Sequence, residues 1–111
     1  MPKTRLEPDS HLKVRYRVPR HKMIEYFVES LDGPVDTFVL DDKGLEQFLS
    51  KRTKEITSYY GGFTNRYVHQ QKLRLPIDGP WWYLLIYNPN KQSVTIEYDV
   101  FASRHSLASG G

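Results

Sequence analysis

From His11 to Val18 every even position is apolar and every odd one is basic or histidine. A period of two is the geometry of a strand with one buried face, because successive side chains leave a pleated backbone on opposite sides. Residues 19–21, Pro-Arg-His, turn the chain. Residues 23–31 favour a second strand, with Ile24, Tyr26 and Val28 on one face and Glu25 and Glu29 flanking Phe27 on the other. Asp32-Gly33-Pro34 is turn chemistry. Residues 35–40 are apolar on both sides, which predicts a central strand. After Asp41-Asp42-Lys43-Gly44, Leu45, Phe48 and Leu49 stand at i, i+3 and i+4. That spacing predicts a short helix over residues 44–52 with Asp42 as its N-cap, lying over the strands.

Residues 55–67 read as a long tyrosine-rich connection around Gly61-Gly62. Alternation resumes over residues 68–75, with Leu73 and Leu75 inward and Gln70, Lys72 and Arg74 outward. Trp81 to Tyr87 is continuously apolar, as a strand covered on both faces must be. Asn88-Pro89-Asn90-Lys91 forms a loop, and Val94, Ile96, Tyr98 and Val100 then alternate with Thr95, Glu97 and Asp99. The pattern predicts a mainly all-β chain, an antiparallel β-sandwich of about six to eight strands with one short helix. Residues 11–102 form its single domain, residues 1–10 a flexible lead and residues 103–111 a flexible tail.

Composition narrows the chemistry. A chain of 111 residues with 8 Tyr, 5 Phe and 2 Trp relies on large flat side chains for its core. With no cysteine there is no disulfide, thiol nucleophile or Cys-ligated zinc. The mean hydropathy is −0.61, and neither a signal peptide nor a spanning helix is expected, so the chain reads as cytoplasmic and soluble. The net charge of +3 is mildly basic and does not by itself select a partner.

The candidate ligand-binding residues are Tyr59, Tyr60, Gly61, Gly62, Arg66 and His69 in the aromatic-glycine loop, with Trp81 nearby. Aromatic faces beside Arg and His suit stacking on a base, a sugar or a peptide. The plainer reading is that the glycines supply positive φ and the tyrosines pack. Trp81 and Trp82, being adjacent on a strand, must point to opposite faces, one into the core and one outward. Lys13, Arg15 and Arg17, with Lys72 and Arg74, are an alternative surface for nucleic acid. Against it, Glu25 and Glu29 on the following strand offer Lys13, Arg15 and Arg17 a simple cross-strand pairing. The histidines His11, His21, His69 and His105 lack metal-ligand spacing, and Asp41-Asp42 lacks the alternating acids of a calcium loop. G-x-S-x-G, the P-loop and G-x-G-x-x-G are absent too, so neither catalysis nor a cofactor is expected. The terminal Gly110-Gly111 reads as a flexible end rather than a conjugation signal.

Tyr59-Tyr60-Gly61-Gly62, residues 68–76 and Asp78-Gly79-Pro80-Trp81-Trp82-Tyr83-Leu84 resemble a bacterial family of small β-sandwich domains of unknown function, sometimes fused to TIR domains. The resemblance spans about residues 14–101. It implies a sensing or interaction module and supplies no catalytic residue. TIR domains can cleave NAD, but this chain contains none. The expectation is therefore a non-catalytic binding module for a protein or a small ligand, with a nucleic-acid binder or a homo-oligomeric structural subunit as alternatives.

Overall fold

A computed structural model describes residues 3–50, 59–77 and 79–102. In chain order its elements are β1 (Lys3–Leu6), β2 (His11–Arg17), β3 (Met23–Ser30), β4 (Asp36–Leu40), α1 (Asp42–Ser50), β5 (Tyr59–Gly61), β6 (Val68–Arg74), β7 (Trp81–Tyr87) and β8 (Val94–Ala102). The strands form two antiparallel four-stranded sheets, ordered β1-β8-β3-β6 and β2-β7-β4-β5. Among the described residues the architecture is the all-β sandwich with one short helix that the sequence pattern predicts.

The inward sets pack between the sheets: Ile24, Tyr26, Val28, Val94 and Ile96 from the first, and Val39, Trp82, Leu84 and Ile86 from the second. Among the described residues, thirteen buried ones form this core, against four in a satellite cluster on the outer face of the second sheet. Since a buried Val, Leu or Ile is worth roughly 1.5–3 kcal/mol, the inter-sheet layer dominates stability. The satellite explains the unbroken apolar run of β7. Its inward residues Trp82, Leu84 and Ile86 join the main core, while Tyr83 and Leu85 join Leu40 and Phe48 beneath α1.

Several expectations change. The lead over residues 1–10 is not loose throughout, because Lys3–Leu6 pairs with β8 and buries Leu6. Four residues are too few for periodicity to show. The helix starts earlier, and Asp41 rather than Asp42 caps it, its Oδ1 accepting from the Gly44 amide at 2.8 Å. Residues 51 and 52 of the expected helix, and the tail from residue 103, lie outside the described residues. The connection after α1 contains a strand, β5, paired with β4 across an irregularity at Val39 and Leu40. Most consequentially, β2 does not pair with β3. Consecutive strands from β1 to β4 alternate between the sheets, so β2 lies beside β7 and β3 lies between β8 and β6.

Candidate functional site

The aromatic-glycine loop is tied down by a buried polar network. His69, with no exposed surface, points between the sheets on the same side of β6 as Leu73. Its Nε2 lies 2.9 Å from the Val35 carbonyl oxygen and 3.0 Å from that of Arg66. Both are acceptors, so Nε2 carries the proton and donates. Nδ1 is then left to accept from the Thr37 hydroxyl at 3.0 Å. The Tyr26 hydroxyl donates to Gln71 Oε1 at 3.0 Å, and the same oxygen accepts from the Gly62 amide at 3.0 Å. The Phe63 amide donates to Thr37 Oγ1 at 3.2 Å. Desolvation is the leading cause that holds the His69 pKa below its usual 6.5 and raises that of Tyr26.

The glycines serve this closeness. Gly62 sits at φ +125°, and a Cβ there would stand 2.1 Å from the Thr37 carbonyl oxygen. Gly61 is paired with Val39. Arg66 lays its guanidinium 3.9 Å over the Phe63 ring and bonds through its backbone to Val35, at 2.9 and 3.1 Å. Tyr59 is 52% exposed and meets Phe38 edge-on. Gly61 and Gly62, both half-buried, and the fully enclosed His69 therefore build the loop. The signal for His69 was present in the chain, since the parity that sends Leu73 and Leu75 inward sends position 69 inward as well.

Tyr60 and Trp81 do converge. Together with Asp41, Asp42, Lys43 and Ile77 they line a pocket of about 300 Å³ at the start of α1. The adjacency follows from sheet order. β4 runs between β5 and β7, which sets the strand ends carrying Tyr60 and Trp81 beside Asp41, the residue after β4. Tyr60 donates to Asp41 Oδ2 at 2.7 Å, while Asp41 Oδ1 caps the helix. Tyr83 donates to Asp42 Oδ1 at 2.6 Å, and this bond is the first cause of its raised pKa. Two carboxylates thus keep fixed orientations beside two rings, with one lysine at the rim. The sequence assigns Asp41-Asp42 to a turn and a helix cap, and of the two Asp41 is the cap. Their second role depends on strand order and left no local mark.

Trp81 also bounds the basic ladder. The Arg15 and Arg17 guanidinium groups stand 4.1 and 5.4 Å from the Trp81 ring centroid. Trp81 is thus the outward tryptophan, half-buried, and Trp82 is the core one, 1% exposed. Glu25 and Glu29 do not neutralise the ladder. They face out from the first sheet, where Glu25 stands opposite Lys72. Lys13, Arg15 and Arg17 stand opposite Leu85, Tyr83 and Trp81 on β7. Because Lys72 and Arg74 belong to the other sheet, the five cations do not form one surface.

Among the described residues, no group of three or more His, Asp or Glu side chains is placed to hold a metal ion, and no helix is long and apolar enough to cross a membrane. Comparison with protein-family models and with curated proteins finds no match to this chain.

Proposed function

We propose that this chain is a non-catalytic binding module whose small-ligand site is the pocket between α1 and the ends of β5 and β7, and that it takes a small organic cation. The carrying observation is the convergence of Tyr60, Trp81, Asp41 and Asp42 around one opening of about 300 Å³. That volume stands at the lower end of ligand pockets. Ring faces attract cations through their quadrupoles, by roughly 0.5–2 kcal/mol each, and the carboxylates add charge and acceptor oxygens. Trp81 already accommodates a guanidinium from its own chain, that of Arg15. A binding role is also favoured over catalysis because His69, the histidine of the aromatic-glycine loop, is enclosed and fully engaged. The resemblance to bacterial sandwich domains adds a bacterial setting to this reading, and the lack of cysteine suits a cytoplasmic one.

The test uses isotopically labelled protein titrated with agmatine and choline at millimolar concentration, with glucose as the neutral control. Either cation should shift the amides of Asp41, Asp42, Lys43, Tyr60 and Trp81 saturably, and Asp42→Asn should weaken that binding about tenfold, the loss of one charge-assisted contact. Shifts scattered over the surface, or equal affinity in Asp42→Asn, would overturn the assignment.

A further inference from the structure

We propose that the free edge of β2 docks an extended segment of a partner protein in which carboxylates alternate with apolar residues, the segment adding to the second sheet as an outer strand. This inference does not rest on the small-ligand pocket.

Among the described residues β2 ends its sheet, and over seven residues it keeps an unbroken register with β7, with no proline and no bulge. A strand in that position offers a row of unpaired amides and carbonyls to another extended chain. Its two faces then define the partner. On the outer face, Lys13, Arg15 and Arg17 are exposed, and among the described residues the ion pairs are Lys3–Glu97 and Arg5–Glu7, both elsewhere. Stacking on Trp81 orders the two arginines in advance. An added strand sets its outward side chains about 4.5–5.5 Å from them, where carboxylates are favoured.

The inner face is incompletely covered. Leu12, Val14 and Tyr16 are each only partly buried. Above the end of β2, the described pairing of β1 along β8 stops at Lys3 opposite Glu97, short of Val100 and Phe101. A hollow of about 140 Å³ opens there, lined by Tyr16, Ile24, Trp82, Val100 and Phe101, with Arg17 also on its wall. Inward side chains of an added strand would meet this apolar lining. A second copy of β2 is a poor occupant, because edge-to-edge pairing would set Lys13, Arg15 and Arg17 against the same three cations.

The probe is an acetylated, amidated heptapeptide alternating Glu and Val, matched to the seven residues of β2. Isothermal titration should show saturable binding, with amide shifts concentrated between His11 and Arg17. Alternate N-methylation of the peptide backbone should weaken binding about tenfold or more, since it removes pairing but keeps charge. A Lys-Val peptide should not bind, and Arg15→Glu with Arg17→Glu should abolish binding of the Glu-Val peptide while the amide spectrum stays dispersed. N-methylation requires no protein variant, so it decides even if the double variant unfolds. Failure to bind, shifts away from β2, or indifference to N-methylation would each refute strand addition. So would tighter, salt-sensitive binding of an oligothymidine through the same arginines, which would make the surface a nucleic-acid one.

Discussion

His69 ties β6 through one ring to Thr37 of β4 and to the Val35 and Arg66 carbonyls, and its chemistry sets a pH dependence. In the fold its pKa lies below 6.5, so on acidification the unfolded chain takes up this proton first. The stabilisation from neutral His69 is complete above about pH 6.5 and is lost progressively as pH falls toward the folded pKa. Urea unfolding should show a lower midpoint at about pH 5 than at about pH 7.5 in the wild type, and a flatter dependence in His69→Gln. His11 has a pKa lowered first by desolvation and then by Lys13, and acts with the same sign, so the difference between the two proteins isolates His69. Equal slopes would mean that the ring is not held neutral. Gly62 shows the same closeness in steric form, because any side chain there meets the Thr37 carbonyl.

β7 works on both faces. Trp82 stacks on Tyr16 in the inter-sheet core, at a ring separation of 5.1 Å, and Trp81 faces the arginines and the pocket. Acrylamide should therefore quench the remaining tryptophan of Trp82→Phe readily and that of Trp81→Phe poorly. Similar quenching in the two variants would contradict this division. The outer face needs α1 as a cover. Phe48 is 8% exposed and meets His11 edge-on at 4.9 Å and Tyr87 at 6.0 Å, while Leu45 packs at the margin of the satellite cluster. Helix spacing at Leu45, Phe48 and Leu49 predicted an apolar stripe, yet Leu49 is 56% exposed. Nine residues over a narrow contact bury only the middle of that stripe.

At the scale of the molecule, β1 is a short strand that guards the edge of β8. It contributes buried Leu6, and Asn88 donates to the Leu6 and Glu7 carbonyls at 3.1 Å each. Deleting residues 1–6 should cost about 2–4 kcal/mol in urea unfolding, mostly from losing a buried leucine, and should promote self-association detectable by light scattering. An unchanged midpoint with a monomeric protein would show β1 to be dispensable. The topology also separates charge. Lys13, Arg15 and Arg17 leave one sheet, whereas Glu25, Glu29, Glu97 and Asp99 belong to strands of the other. The modest net charge conceals this arrangement.

Alternation determined which residues of β2, β3, β6 and β8 point inward and the sandwich class, the unbroken apolar run the covered character of β7, and the i, i+3, i+4 spacing the helix. Those are local properties, since side-chain direction follows from backbone period and the hydrophobic effect rewards whichever face is apolar. Pairing is not local. The same alternating strand satisfies its inward face against either sheet, so nothing in His11–Arg17 or Met23–Ser30 states that they part company. Only the tertiary structure decided that β2 pairs with β7, and with it the fate of the site residues: Tyr60 and Trp81 meeting Asp41 and Asp42, His69 enclosed, and the basic residues divided between two sheets. Strand order emerges from packing the whole core at once, and a polar pocket at strand ends inherits that order.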